Sequence, residues 1–339
     1  MKKIILGKTG LEISTLGFGG IPVQRVSQQE AKITVKTAVE RGINFIDTAR
    51  AYSDSEEKIG LTLQELDKKV YLASKTPAEN AEKAYQDVKV SIDNLQVDKI
   101  DLYQLHHVSS EENYKDQVTK KNSALQGLMK ARSDGLIDHI GITGHSNELL
   151  LRAIKENNFA TVQFCYNFIE TEAEKKLIPA AEERDMGMIA MKPMAGGRLQ
   201  APEIALRYIL TRDSVIPIPG MESPQEVAEN VAAADRTEKL SEEEIEFIEK
   251  KREELGDQFC RRCQYCLPCP EGIQIPVVLR VESFLNRMPA KKIKEGPYET
   301  FLQAENCIEC GKCVEKCPYE LPIPRLLQEN LELARQKLG

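Results

Sequence analysis

Eight short apolar runs separated by longer amphipathic stretches recur between Thr15 and Pro219, and this alternation leaves few folds open. The runs are TLGFG at 15–19, INFID at 43–47, VYLASK at 70–75, KIDLYQLH at 99–106, HIGIT at 139–143, TVQFCY at 161–166, GMIAMK at 187–192 and SVIPIP at 214–219. The stretches between them carry the apolar period of helices, as in SQQEAKITVKTAVERG at 27–42, where Ser27 stands as an N-cap ahead of Glu30. Eight strand–helix repeats in succession predict an α/β fold of the closed (β/α)8 TIM-barrel kind. An open doubly wound sheet uses fewer strands for this length and places G-x-G-x-x-G after its first strand. GFGGIP at 17–22 lacks that spacing. The barrel is expected over residues 1–237, a connecting helix over 238–256, and a small, mainly helical domain over 257–339. Ser241 and Glu244 form a capping-box pattern for the connecting helix, with Leu240, Ile245 and Ile248 as its packing face.

Eight of the nine cysteines lie in that last region, in the runs CRRCQYCLPCP (Cys260, Cys263, Cys266, Cys269) and CIECGKCVEKCP (Cys307, Cys310, Cys313, Cys317). Each run offers four thiolates, the demand of a cubane cluster, so two [4Fe-4S] clusters are the first expectation. Tetrahedral zinc also accepts four thiolates, but it usually joins two separated pairs, whereas these cysteines follow one another at close intervals and end in Cys-Pro. The second run matches the bacterial ferredoxin spacing in full, and the first is one residue short before its last cysteine. In that ferredoxin pattern the last cysteine of each run serves the other cluster. Its transfer here implies one set of Cys260, Cys263, Cys266 and Cys317, and another of Cys307, Cys310, Cys313 and Cys269. PAKKIKEGPYET, between the runs, reads as an excursion from the core, and Cys165 reads as a small buried hydrophobe.

A formal charge of -7 argues against binding to nucleic-acid backbones. No apolar run reaches membrane-spanning length, and MKKIILGKTG lacks a cleavage site, so neither a membrane span nor export is expected. Thiolate clusters in an unexported chain point to a cytoplasmic location.

Functional groups of a barrel project from the C-terminal ends of its strands. Those ends supply Asp47, Lys75 and His106, with Tyr52 in the loop after Asp47. Lys75 paired with Asp47 places a cation beside the Tyr52 phenol, which lowers a pKa ordinarily near 10 and makes the phenol a usable proton donor. His106 can polarise an oxygen while neutral. Together they suit interconversion of a carbonyl and an alcohol. Each also has a bland explanation, as a turn cap, a rim residue or an exposed charge. His107 is expected to point opposite His106 along a continuing strand, and His145 follows the fifth strand.

The motifs INFIDTARAYSDSEEKIG at 43–60, LASKT at 72–76, DLYQLH at 101–106, VQFCYN at 162–167 and VIPIPGMESPQEVAEN at 215–230 give the chain a resemblance to the aldo-keto reductase family. Over nearly its whole length the chain is similar to a subgroup with a C-terminal dicluster ferredoxin-like domain. The resemblance implies reduction of an aldehyde or ketone by NAD(P)H, with Asp47, Tyr52, Lys75 and His106 as the catalytic tetrad. It also implies that Tyr166 stacks on nicotinamide, Gln163 meets the carboxamide and Asn167 supports that wall. Gly196 and Gly197 would face the pyrophosphate, and Glu226, Glu229 and Asn230 would lie at the adenosine end. Glu226 stands where relatives that prefer the 2'-phosphate commonly carry a basic residue, which favours NADH over NADPH. The competing reading is an electron-transfer protein whose clusters serve a carrier partner, with the barrel as a nucleotide-binding scaffold. A small carbonyl or alcohol is the expected substrate, and oligomeric state is left open.

Overall fold

The computed structural model describes residues 1–339 except Asn158, Gln200, Thr237, Asp257, Cys263, Arg287 and Pro318. It divides into two compact units, one of residues 1–195 with 199–240, the other of 196–198 with 241–339. Among the described residues, no helix is long and apolar enough to cross a membrane.

The first unit opens with an antiparallel pair, β1 (Lys3–Ile5) and β2 (Glu12–Ser14), that lies outside the eight apolar runs. Eight parallel strands follow: β3 (Phe18–Gly19), β4 (Phe45–Asp47), β5 (Tyr71–Thr76), β6 (Ile100–Leu105), β7 (Ile137–Thr143), β8 (Thr161–Cys165), β9 (Gly187–Met191) and β10 (Val215–Pro217). Each lies within or overlaps one of the apolar runs. Strand neighbours follow chain order, and the first and last are joined by Gly17 N to Pro217 O at 3.0 Å and Gly19 N to Pro219 O at 2.8 Å, which closes the barrel. Gly19 permits that seam, because a Cβ there would lie 2.7 Å from Ile218 O.

Period-two alternation decides what fills the barrel. Phe45, Ala73, Leu102, Ile189 and Ile216 pack together with Leu6 and Ile13 of the initial hairpin, which plugs the end where the strands begin. Gly7 makes the plug possible, since a Cβ there would stand 2.4 Å from Gly187 N. Two residues further along β4, β5 and β6, on the same face, come Asp47, Lys75 and Gln104. Gln163, registered with Ile189, joins the same polar layer. The helices between strands start where expected. Ser27 and Glu30 form a capping box for Gln28–Glu40, and Ser223 accepts from Glu226 N at the start of Pro224–Asp235.

The second unit is helical. Ser241 and Glu244 cap the helix Glu242–Gly256 as expected, but of its proposed packing face only Ile248 is buried, with Ile245 45% exposed. The closing helix Ile323–Leu338 buries Ile323, Leu326, Leu327, Leu331, Ala334 and Leu338, one apolar stripe at helical spacing. PAKKIKEGPYET is no excursion. It forms most of two short helices, Ala290–Lys294 and Tyr298–Leu302, whose Ile293 and Phe301 are fully buried against Val281, Ala334 and Leu338. Of these two only Ile293 lies within the stretch itself, too little to reveal it by periodicity.

Candidate active site

Asp47 ends β4 and Lys75 lies near the end of β5, both facing inward above the apolar filling. The Lys75 ammonium donates to Asp47 Oδ1 at 2.5 Å and to the Thr48 carbonyl at 2.7 Å, and both side chains are almost completely buried. Gln104 Nε2 donates to Asp47 Oδ2 at 3.2 Å, and the Gln163 side chain also hydrogen-bonds the carboxylate. Burial pushes the Asp47 carboxyl up, against the opposing pull of Lys75 and the two amides. Gly141 leaves room for this layer, because a Cβ there would meet Thr161 Oγ1 at 2.2 Å and Gln104 Cγ at 3.0 Å.

Tyr52 sits in the turn leading to the helix Ser55–Leu63, with its N–H on the Ala49 carbonyl at 3.0 Å. The Lys75 ammonium is 5.2 Å from its ring centroid. The His106 ring stands edge-on to the Tyr52 ring at 5.6 Å. Burial, then the Lys75 cation and the neighbouring His107 and Lys192, hold the His106 imidazole well below its usual range, so the ring is neutral. Three strand-end residues and Tyr52 of the loop after β4 are thus linked by side-chain contacts.

The remaining expected residues divide. Gln163 Oε1 is buried without a hydrogen-bond partner, an acceptor suited to an amide N–H of a nicotinamide carboxamide. Asn167 is committed to its own turn: its Oδ1 accepts from Ile169 and Glu170 N–H, and its Nδ2 donates to Glu170 and the Lys192 carbonyl. Tyr166 is buried, its hydroxyl held by Glu174 at 2.6 Å and Arg212 Nε at 2.9 Å. Gly196 and Gly197 take left-handed backbone in the loop after β9. Glu226 accepts from Glu222 N–H at 2.7 Å as part of a helix cap, Glu229 is exposed beside Gln225, and Asn230 is buried. His107 does not continue the strand: β6 ends at Leu105 and His107 adopts φ +64°, which turns it to His145. Gln104 and Lys192 have no role in the sequence reading, although inward alternation points to Gln104 and strand-end position to Lys192.

The expected two [4Fe-4S] clusters require correction. Cys263 lies outside the described residues, and among the described residues no group of three or more His, Cys, Asp or Glu side chains is arranged to hold a metal ion. Cys266, Cys269, Cys307, Cys310 and Cys313 line one hollow, and Cys260, Cys266 and Cys317 another, each with a volume of about 20 Å³, room for about one water. Burial also raises the Cys260 and Cys313 thiols above their usual range, toward S–H and away from the thiolate a metal needs. Cys165 is buried, as expected of a small apolar side chain.

Comparison with known proteins adds to this geometry. A family model described as the aldo/keto reductase family matches residues 3–202, and one described as a 4Fe-4S dicluster domain matches residues 259–322. The second match is a likeness of sequence; the thiols among the described residues do not reproduce a metal site. An oxidoreductase of Bacillus subtilis, YqkF, is 25% identical over 303 residues, covering 74% of this chain and 96% of its own length. The L-galactose dehydrogenase of Arabidopsis thaliana is 26% identical over 286 residues, covering 69% of this chain and 88% of its own. Among solved structures, an aldo-keto reductase from Bacillus halodurans in its holo form superposes with a TM-score of 0.63 at 24% identity, over 74% of this chain and 96% of that one, which shows the fold.

Proposed function

The chain belongs to the aldo/keto reductase family and is an NAD(P)H-dependent oxidoreductase, and we propose that it interconverts an aldehyde or ketone with the alcohol, with Tyr52 as the proton donor in reduction. The observation that carries this reading is the convergence of Asp47, Lys75, Tyr52 and His106, linked by the 2.5 Å ion pair and the ring contacts at 5.2 and 5.6 Å.

Bound NAD(P)H supplies hydride to the carbonyl carbon. The protein's part is to manage the oxygen. A neutral His106 offers a ring N–H to the carbonyl oxygen and orients it, and because the ring carries no charge it does not compete with Tyr52 as the acid. Tyr52 gives its phenolic proton to that oxygen as the C–O bond becomes single, and the product is the neutral alcohol. The phenolate left behind faces the Lys75 cation, which Asp47 holds in place with Gln104 bracing the carboxylate. Oxidation runs the same steps in reverse. The unsatisfied Gln163 Oε1 fits the amide end of the nicotinamide, and that amide would satisfy an acceptor the fold leaves without a partner.

Tyr52→Phe tests the assignment. It should lower carbonyl reduction by about 10²-fold or more, the usual contribution of a positioned general acid, while NADH or NADPH still binds by fluorescence titration. A variant retaining more than about a tenth of the activity would remove Tyr52 from the role.

A further inference from the structure

A second polar cluster stands beside the tetrad, at the C-terminal ends of β6, β7 and β9, and the reaction above makes no use of it. Lys192 Nζ lies 2.7 Å from His145 Nε2. An ammonium can only donate, so His145 Nε2 accepts and its ring proton is on Nδ1. That Nδ1 faces Ser109 Oγ at 3.4 Å, and Ser109 Oγ faces His107 Nδ1 at 3.5 Å. In that direction the Ser109 hydroxyl donates to His107 Nδ1, and the proton of the exposed His107 ring is on Nε2. Lys192 therefore sets the polarity of a chain that ends in an outward N–H donor. The two histidine rings meet edge to face with centroids 4.7 Å apart.

The backbone fixes this arrangement. His145 N–H donates to Ser109 Oγ at 2.9 Å, and His107 N–H donates to Thr143 Oγ1 at 3.1 Å, which laces the two loops together. His107 and Lys192 both hold left-handed backbone, φ +64° and +56°. Side-chain-bearing residues keep that conformation where the surroundings impose it, and such positions concentrate at functional sites. The cluster is close to the reacting position, since His107 and Lys192 are among the groups that act electrostatically on His106. A cation and an outward N–H make a wall of donors, complementary to an acceptor with negative charge.

We propose that Lys192, His145 and His107 form a recognition subsite for an anionic oxygen group, a carboxylate or a phosphate ester, carried on the carbonyl substrate. The proposal rests on the reductase reading of the neighbouring tetrad and deepens it to a substrate class.

The test compares kcat/KM for matched aldehydes, benzaldehyde against 4-carboxybenzaldehyde and glyceraldehyde against glyceraldehyde 3-phosphate, in the wild type and in Lys192→Met. The wild type should favour the charged member of at least one pair, which identifies the group, and Lys192→Met should lower the charged-to-neutral ratio by about tenfold or more, the loss of one charge-assisted hydrogen bond. An equal ratio in both proteins overturns the subsite. So does a raised KM for NAD(P)H with the ratio unchanged, which would assign the cluster to the cofactor. If the wild type turns over no aldehyde, the reductase reading fails by itself, and calorimetry with 4-carboxybenzyl alcohol against benzyl alcohol decides the subsite separately. Tighter binding of the acid that Lys192→Met abolishes supports it, and equal binding of the two alcohols sinks it. Should Lys192→Met not fold, His107→Ala, at an exposed position, carries the same comparisons.

Discussion

Replacing Glu56 tests how the tetrad is held. This carboxylate, 1% exposed, lies on the helix after Tyr52 and gathers four donors: Arg50 Nη1 at 2.6 Å, Ser74 Oγ at 2.6 Å, Ser91 Oγ at 2.7 Å and Asn94 Nδ2 at 3.1 Å. Ser74 precedes Lys75, and Arg50 belongs to the loop that carries Tyr52, with its N–H on the Lys75 carbonyl at 3.0 Å. Glu56 thus ties the strand bearing the ammonium to the loop bearing the phenol. Glu56→Ala removes one half of a largely buried ion pair and strands three further donors, which should cost about 3–5 kcal/mol. Glu56→Gln can turn its amide N–H toward the two serine hydroxyls, which rotate to accept, and keep its oxygen for Arg50 and Asn94. It loses mainly the charge, about 1.5–3 kcal/mol. Urea denaturation followed by circular dichroism, with hydrogen exchange over residues 48–63 to localise the loosening, would measure both. The loop that positions Tyr52 is affected more than any surface that binds, so kcat should fall further than KM rises. A loss below about 1 kcal/mol in Glu56→Ala, or equal losses in the two variants, would refute this account of the network.

Two further outcomes follow from the fold and the site. Gly7→Ala combines a φ of +47° with a Cβ 2.4 Å from Gly187 N, and backbone cannot give way as a side chain can. It should destabilise the barrel by about 3 kcal/mol or more, read from the urea midpoint, and a near-neutral result would mean that the hairpin does not plug the barrel. His106, held well below its ordinary value of 6.5, stays neutral in the folded chain while the unfolded chain takes up a proton. Its contribution to stability is therefore complete above about pH 6.5 and declines as the pH falls below it, by up to about 1.4 kcal/mol per pH unit. His106→Asn should flatten the slope of stability against pH between 5 and 6.5, and an unchanged slope would show that the ring titrates normally.

The barrel strands could be read because parallel strands covered on both faces become short apolar runs bounded by polar helices, and β3 to β10 each lie on such a run. The hairpin of β1 and β2 could not, because three-residue strands around GKTG leave too little alternation, and its purpose depends on the barrel end it covers. Convergence of Asp47, Lys75 and His106 was legible from strand-end position, since alternation sends the residue above an inward apolar side chain into the same lumen. The cysteine runs show the opposite case. Their spacing speaks for a ligand set, and the family match repeats that likeness, but ligation depends on where sulfur atoms point, which spacing along the chain leaves open.

What the sequence determined by itself was therefore repetitive and local: eight strand–helix units, the helix caps at Ser27 and Ser241, and the chemical types available at the strand ends. Tertiary structure alone decided which polar groups share a partner. The four donors on Glu56, the unsatisfied oxygen of Gln163, and the chain from Lys192 through His145 and Ser109 to His107 join residues from separate loops and strands. Hydrogen bonds require distance and direction to within a few tenths of an ångström, and for residues far apart in the chain those are set only when the barrel closes.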